Sequence, residues 1–169
     1  MINKDLFFCL TGTPRNMSMK HVPRLIAKPN AIANIFIVQG YAKEFYSMNG
    51  KDRIYSWFWG EGEYIIPTSG YSNIMLSDEA TLTKMNYSSA VHLLKSREDA
   101  RLLYRKVREA HCAQIAERIR EIKTFTPIER YISLITQKPW VLEKIPGNEI
   151  ASYLNISVPV LERFSSTSA

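Results

Sequence analysis

The stretch Glu149–Phe164, EIASYLNISVPVLERF, decides the fold that we expect for the end of the chain. Asn155 tolerates the left-handed backbone that stops a helix, and Ser157 is a good N-cap for a second helix, with Pro159 allowed in its first turn. Apolar residues recur where two crossing helices must bury them, at Ile150, Ala151, Leu154, Ile156, Leu161 and Phe164. This spacing predicts a helix-turn-helix, a motif that places its second helix in the major groove of DNA.

The polar side of this motif supplies the candidate contacts with DNA. The first residues of the second helix of such a motif face base edges, while helix N-termini and basic side chains hold phosphates. The candidate DNA-binding residues are therefore Asn148, Ser157, Val158, Pro159, Glu162 and Arg163. Arg163 is the best candidate for a base or phosphate contact, and a solvated surface arginine is the alternative.

The charge distribution argues against strong DNA binding by this segment alone. The chain has 169 residues and a net charge of +6. Residues 1–95 carry 10 basic and 7 acidic side chains, and residues 96–125 carry 8 and 5. Residues 126–169 carry 4 of each and are neutral. Because phosphate neutralisation supplies much of DNA affinity, the segment that resembles a DNA reader lacks the usual charge for it.

Residues 22–87 predict antiparallel β structure. Asn49-Gly50 is a strong signal for a two-residue hairpin turn, and Gly60-Glu61-Gly62 interrupts a run of aromatic residues. The predicted strands are Ile35–Val38, Tyr41–Met48, Lys51–Trp59, Tyr64–Ile66, Ile74–Leu76 and Ala80–Met85. Short strands separated by glycine turns indicate a roll or a barrel.

A long helix is predicted from Ser96 to about Lys123, which contains neither proline nor glycine. Ser88 is expected to cap a short helix before it, and Ser96–Asp99 reads as the cap of the long one. Its apolar stripe comprises Leu103, Val107, Ala110, Ile115, Ile119 and Ile122. At 1.5 Å per residue this helix is about 40 Å long, so it either pairs with a second copy of itself or packs on the roll. Thr126-Pro127-Ile128-Glu129 then predicts a capped helix to about Gln137.

Several classes of protein are excluded by simple features. No apolar run approaches the roughly 20 residues that span a bilayer, and Leu6–Leu10 is too short for a signal-peptide core, so we expect a cytoplasmic protein. Cys9 and Cys112 fit buried thiols better than a disulfide, and the three histidines have no metal spacing. No nucleophile elbow, phosphate-binding loop or dinucleotide fingerprint is present. We therefore expect no enzyme activity, no cofactor and no metal.

The order of these segments and much of their local sequence resemble the Crp–Fnr superfamily of bacterial transcription regulators. The resemblance covers about residues 30–165 and is carried by Phe36-Ile37-Val38-Gln39-Gly40, Asn49-Gly50-Lys51, Trp57-Phe58, Gly60-Glu61-Gly62-Glu63, Pro127-Ile128-Glu129-Arg130-Tyr131 and Ile150-Ala151-Ser152-Tyr153-Leu154. Each stretch alone is weak, and their order makes the match fairly specific.

This resemblance implies an α+β chain in three segments. Residues 1–95 form a truncated cyclic-nucleotide-binding-like antiparallel β-roll, residues 96–125 a long dimerisation helix, and residues 126–169 a small helical helix-turn-helix DNA-binding-like domain. The partners implied are DNA and a second copy of the chain, with no membrane. Compared with that family the chain looks shortened at both ends. The full winged hairpin has no room after Phe164, and Ser165 and Ser166 stand where relatives commonly have Arg or Lys.

The roll does not carry the residues that the resemblance would require for a cyclic nucleotide. Nucleotide-binding members hold the phosphate with an arginine in a loop after a Gly-Glu pair, because a partly buried phosphate needs a charge-assisted partner. Here Gly62-Glu63 fits the turn before that loop better. No Lys or Arg occurs from Ile54 to Thr83, a stretch made acidic by Glu61, Glu63, Asp78 and Glu79. We therefore predict that the chain binds no cyclic nucleotide.

Other ligand sites in the roll stay open. An aromatic group either lines an apolar pocket or, as is commoner, fills the core; its members are Tyr55, Trp57, Phe58, Trp59 and Tyr64. The loop Thr68–Asn73 is a plausible site for a small polar molecule. Two functions therefore remain: a dimeric regulator that binds DNA, or a degenerate relative that acts as a protein–protein module or as a sensor of an unknown small ligand.

Overall fold

The computed structural model describes residues 17–18, 25–26, 35–48, 52–84 and 87–167. In these residues the strands are β1 Met17–Ser18, β2 Leu25–Ile26, β3 Ile35–Gln39, β4 Ala42–Met48, β5 Asp52–Trp59, β6 Asn73–Leu76 and β7 Thr81–Lys84. The helices are α1 Tyr87–Ser96, α2 Glu98–Thr124, α3 Pro127–Gln137, α4 Trp140–Lys144, α5 Gly147–Leu154 and α6 Val158–Thr167.

The strands form two antiparallel sheets that enclose the core of the roll. One sheet has the order β1-β7-β3 and the other the order β2-β6-β4-β5. Their apolar side chains form one buried cluster: Ile35, Ile37, Ala42, Trp57, Trp59, Ile65, Ile74, Leu76, Ala80 and Leu82. The strand predicted at 64–66 is present only in part: Tyr64 forms an isolated bridge to Phe36 and the Ile65 N–H donates to the Ile35 carbonyl at 2.9 Å, but no regular strand forms there.

A bulge in the pairing of β4 with β5 gives the longer sheet two differently packed faces. Met48 pairs with Asp52, as a tight hairpin requires, although the predicted turn Asn49-Gly50 lies outside the described residues. The register shifts by one residue between Glu44 and Phe45. An extra residue in one strand changes which face the following side chains occupy. Tyr55 and Trp57, two residues apart on β5, consequently lie on opposite faces, with Tyr55 packed outside the roll and Trp57 inside it.

The helices after the roll follow the sequence closely, with two errors in the caps. Ser88 does not cap α1, because it is the second residue of that helix. Ser96 does not cap α2, because it ends α1 and its hydroxyl donates to the His92 carbonyl at 2.8 Å. The N-cap of α2 is Arg97, which makes no side-chain capping bond. The expected cap of α3 is confirmed: Thr126 and Glu129 form a reciprocal capping box, with Pro127 at the helix start.

The helical segment after α2 packs directly against the outer face of the long sheet. One apolar cluster joins the roll residues Phe45, Tyr55 and Phe58 to residues of α3–α6: Tyr131, Leu134, Val141, Ile145, Ile150, Ala151, Leu154 and Leu161. At Gly60 an added Cβ would lie 2.9 Å from the Trp140 ring, so the roll approaches α4 closely at this glycine. Burial of these apolar groups on both sides holds the two parts together.

Among the described residues no helix is both long and apolar enough to cross a membrane. Cys112 is a free and exposed thiol on α2, so the expectation that it is buried is wrong.

Candidate nucleic-acid interface

The helices α5 and α6 meet in the geometry that Glu149–Phe164 predicts. Asn155 has φ 55° and ψ 52°, the left-handed conformation expected at the end of α5. The Ile156 N–H donates to the Ala151 carbonyl at 3.0 Å and closes the turn. Ile150, Ala151, Leu154 and Leu161 are buried between the helices and the rest of the segment. A Cβ at Gly147 would lie 3.8 Å from a Leu161 methyl, so the helices already touch there.

All six candidate DNA-binding residues are exposed. They lie at two helix starts, with Asn148 in the first turn of α5 and Ser157, Val158, Pro159, Glu162 and Arg163 at or near the start of α6. The Ser157 carbonyl accepts the N–H groups of Val160 and Leu161, at 3.1 and 3.2 Å. This surface remains open although the opposite side of the segment packs on the roll.

Helix α6 extends three residues beyond Phe164, where the sequence suggested that the motif ends. The hydroxyl of Ser165 donates to the Leu161 carbonyl at 3.3 Å, and that of Ser166 donates to the Glu162 carbonyl at 3.1 Å. These bonds let both serines continue the helix instead of breaking it. The last turn of α6 in the described residues therefore carries no charge. It lies at Ser165 and Ser166, where relatives commonly have Arg or Lys.

Two of the four basic residues of the helical segment are used inside the molecule. Arg130 is 8% exposed and donates to the carbonyls of Leu154 and Phe125, at 3.0 and 2.8 Å. Lys138 donates to the Phe58 carbonyl at 2.7 Å and pairs with Glu63 at 2.9 Å. Lys144 and Arg163 are the exposed cations of this segment. The shortage of cations for phosphate is therefore greater than the sequence count indicates.

Two buried arginines fix the carboxyl end of α5, which sequence reasoning missed. Arg118 of α2 donates to the Tyr153 carbonyl, and its guanidinium lies 4.0 Å from the centre of the Tyr153 ring. Arg130 of α3 reaches the next carbonyl, that of Leu154. Cations are favourable at this end of a helix because its last carbonyls are unpaired and carry partial negative charge. The pair ties α5 to α2 and α3; only three-dimensional packing could reveal it.

Arg118 belongs to a buried polar network between α2 and α3. It pairs with Glu121 at 3.2 Å, and the side chains of both residues are less than a tenth exposed. The other oxygen of Glu121 accepts from the Ser133 hydroxyl and from the Gln137 amide, the latter at 3.4 Å. Because the carboxylate is paired and hydrogen-bonded on both sides, this burial is tolerated and the angle between the two helices is set.

An ion pair links the roll to the first turn of α5. The Lys43 ammonium lies 2.8 Å from a Glu149 carboxylate oxygen, and the two side chains are 10% and 12% exposed. The Tyr55 N–H donates to the Ser152 hydroxyl at 3.2 Å, one turn further along α5. Lys43 neutralises an acidic side chain close to the N-terminus of α5, where an approaching phosphate would otherwise be repelled.

His111 lies where α2 meets the roll, and it is neither exposed nor fully hydrogen-bonded. It is 7% exposed, its ring meets the Trp57 ring edge-on at 5.4 Å, and its Nε2 has no partner among the described residues. Burial lowers its pKa; the nearby Glu63 carboxylate opposes this shift, and Lys138 adds to it. The described residues contain no group of side chains suited to holding a metal ion.

The aromatic group of the roll serves packing, the commoner of the two interpretations. Trp57 and Trp59 are buried inside the roll, Tyr55 and Phe58 are buried between its outer face and the helical segment, and Tyr64 is half-buried. Asp78 and Glu79 lie in a turn. The loop suggested as a site for a small polar molecule instead directs Thr68 and Ser72 toward Glu44, a strand residue that the sequence did not single out.

Comparison with known proteins identifies the fold. No protein-family model and no curated protein matches the chain. Among solved structures, a chain described as a transcriptional regulator of the Crp/Fnr family from Eubacterium rectale matches with a TM-score of 0.68 and 11% identity, over 98% of this chain and 83% of that chain. FixK2 from Bradyrhizobium japonicum matches with a TM-score of 0.69 and 10% identity, over 92% and 80% of the two chains.

A third similar structure is a cyclic nucleotide-binding domain containing protein from Listeria monocytogenes. Its TM-score is 0.64 and its identity 17%, over 92% of this chain and 80% of that chain. The chain therefore has a Crp–Fnr-like fold, and the predicted fold class is confirmed: an α+β molecule with an antiparallel roll, a long helix and a small helical segment.

Proposed function

We propose that the protein is a dimeric transcription regulator of Crp–Fnr type that binds DNA through α5 and α6. The observation that carries this proposal is the intact helix-turn-helix geometry with its reading side exposed. The buried residues of the motif are packed, Asn155 adopts the required left-handed turn, and the start of α6 faces solvent. A DNA-binding helix needs this combination of a fixed orientation and a free surface.

The candidate contacts have separate roles in this proposal. Asn148 and Ser157 lie at helix N-termini and bind phosphates, Val158 and Pro159 lie against the groove floor, and Arg163 contacts a base or a phosphate. Glu162 is exposed beside Arg163 and accepts from a cytosine amino group. The neutral charge of residues 126–169 limits non-specific affinity, so binding depends on two copies acting together.

A salt-titrated mobility-shift experiment with a pool of random duplexes tests DNA binding. We expect retention at low salt that falls as salt rises, and Arg163→Ala should weaken it and reduce the salt slope by about one. Lys95→Ala is the control, since Lys95 is an exposed cation on α1, outside both the helical segment and the proposed dimerisation helix. Absence of binding at low salt, or a flat salt dependence, would contradict the proposal.

We propose further that cyclic nucleotides do not control this activity. Residues 54–83 contain no cation to pair with a cyclic phosphate. The mobility shift should therefore be the same with and without cAMP or cGMP, and a change in affinity at micromolar nucleotide would refute this part.

The second candidate function is a module that binds a small ligand or a protein and no DNA. It is favoured by a cleft of about 530 Å³ between the roll, α2 and the helical segment, lined by residues that include Glu61, Gln114, Lys138, Trp140 and Lys144. This volume suits a small molecule. Failure of every duplex to bind at low salt would favour this function.

The remaining parts of the proposal concern organisation. Residues 1–95, 96–125 and 126–169 act as roll, dimerisation helix and DNA-binding segment, and two copies pair through α2 in the cytoplasm. This arrangement is supported by exposed apolar residues on α2, among them Leu102, Ile119 and Ile122. No catalytic role is assigned to the chain.

A further inference from the structure

Glu44 is a carboxylate enclosed in the roll. It is 0% exposed and sits on β4, where it pairs in register with Ile74 of β6 and Trp57 of β5. Both neighbours belong to the apolar core of the roll. A carboxylate at such a place is stable only if donors or a cation compensate for the lost water.

Among the described residues, the hydrogen bonds to this carboxylate all come from one loop, residues 67–72. The Thr68 N–H donates to Oε1 at 2.8 Å and the Thr68 hydroxyl donates to Oε2 at 2.8 Å. The Ser72 hydroxyl also donates to Oε1. The Tyr46 hydroxyl lies 3.4 Å from the Thr68 hydroxyl oxygen. Because the Thr68 hydroxyl donates to Glu44, the Tyr46 hydroxyl is the donor in this second hydrogen bond.

No cation takes part in this arrangement. Within the described residues no ion pair reaches Glu44, and the adjacent Lys43 points to the other face of the strand, where it binds Glu149. Residues 54–83 contain neither Lys nor Arg. The loop therefore holds a negative charge with one backbone N–H and two hydroxyls, which is an anion-binding geometry built from neutral donors.

We propose that the loop 67–72 is a carboxylate-binding site inside the roll and that Glu44 is its permanent occupant. The chain supplies its own anion, so the loop is ordered without an external one and small anions do not enter it. When the Glu44 side chain is removed, the vacated site takes a small carboxylate of the size of acetate. This proposal concerns the roll alone and stands or falls independently of DNA binding.

The variant Glu44→Ala tests the site, because it removes a CH₂–CO₂⁻ fragment that matches acetate. Thermal unfolding of the full chain is followed by circular dichroism in sodium acetate and in sodium chloride of equal ionic strength. We expect the midpoint of the variant to lie roughly 5–10 °C below that of the wild type, because the loop donors lose their acceptor. Acetate at 100 mM should raise it by about 3 °C or more, whereas acetamide should not.

Two proteins serve as controls. The wild-type midpoint should be unaffected by acetate, because Glu44 already fills the site. Glu61→Ala removes an exposed carboxylate of the same roll, which accepts from the Gly40 N–H at 3.2 Å, and acetate should not change the midpoint of this variant. Equal acetate shifts in the wild type and in Glu44→Ala would overturn the proposal.

A second measurement covers the case in which Glu44→Ala does not fold. Glu44→Gln keeps the shape of the side chain and removes its charge, and Ser72→Ala removes one donor. If Ser72 donates to the carboxylate, Ser72→Ala should lower the unfolding midpoint strongly in the wild type and weakly in Glu44→Gln. Additive losses in the double variant would show that the loop does not bind this carboxylate.

Discussion

At the scale of single residues, the charges that appear most available in the sequence are those that the fold uses internally. Arg130 and Lys138 account for half of the basic residues in 126–169, yet both donate to backbone carbonyls inside the molecule. Glu149 lies within the predicted DNA-binding motif, and Lys43 of the roll neutralises it. A count of charges along a sequence therefore misjudges the field that DNA would meet, because it does not show which side chains are already paired.

His111 should make the stability of the protein depend on pH. Burial lowers its pKa in the folded state, so the unfolded chain binds a proton more readily below the ordinary value of about 6.5. The contribution of a neutral His111 is therefore complete above pH 6.5 and is lost as pH falls below it. We expect His111→Gln to flatten the dependence of the unfolding free energy on pH between 7.5 and 5.5, measured by urea denaturation.

The control for this prediction is His92→Gln, which changes an exposed histidine of α1. It should leave the pH dependence as in the wild type. Glu63, Lys138 and Arg108 are the charged groups that act on His111, and none is altered in either variant. An unchanged slope in His111→Gln would show that this histidine titrates alike in the folded and unfolded chains.

At the scale of elements, α2 divides its side chains between the roll and solvent. The predicted stripe does not lie on one surface: Leu103, Val107 and Ile115 are half-buried, whereas Ala110, Ile119 and Ile122 are exposed. Polar residues complete the inner face, where His111, Arg118 and Glu121 are buried. Packing within the chain therefore accounts for one part of the stripe, and pairing with a second copy stays a prediction for its exposed residues.

Ile119→Glu should weaken the proposed dimer. A symmetric pairing of α2 places two copies of this side chain in the interface, so two charges would be buried in each dimer. Sedimentation equilibrium should show a dimer dissociation constant at least about tenfold higher than in the wild type. Ile132→Glu is the control, since Ile132 is 51% exposed on α3. A wild-type protein that is monomeric at 50 μM would contradict the dimer itself.

At the scale of the whole molecule, the roll and the helical segment share one packed boundary. Apolar contacts from Phe45, Tyr55 and Phe58 are flanked by two ion pairs, Lys43 with Glu149 and Lys138 with Glu63. Arg118 connects the same boundary to α2. The orientation of α5 and α6 is therefore set by the roll and by α2 together.

The Lys43–Glu149 pair should be a measurable part of this boundary. Lys43→Met leaves a nearly buried carboxylate without its partner and should lower the unfolding free energy by about 2–3 kcal/mol. The double variant with Glu149→Gln should lose less than the sum of the single losses, with a coupling of about 1–2 kcal/mol in urea denaturation at fixed protein concentration. The exposed pair Arg105–Glu109 is the control and should show almost no coupling. Additive losses for Lys43 and Glu149 would contradict the role of this pair.

The sequence by itself determined the features that depend on neighbouring residues. The capping box at Thr126, the left-handed stop at Asn155, the strands of the β4–β5 hairpin and the buried side of the α5–α6 motif all follow from local sterics and hydrogen bonding, which a short window of sequence contains. The error at Ser96 has the same origin. This serine could either end α1 or cap α2, and the neighbouring residues do not show which of the two it does.

The tertiary structure alone decided which polar groups meet. Glu44 faces Thr68 and Ser72, Lys43 faces Glu149, and Arg118 reaches the Tyr153 carbonyl. Two causes made these contacts invisible in the sequence. The partners lie far apart along the chain, and the alternation of residues on β4 does not show which loop or helix covers each of its faces. Electrostatic compensation of buried charge acts through space, so it becomes readable only once the chain is folded.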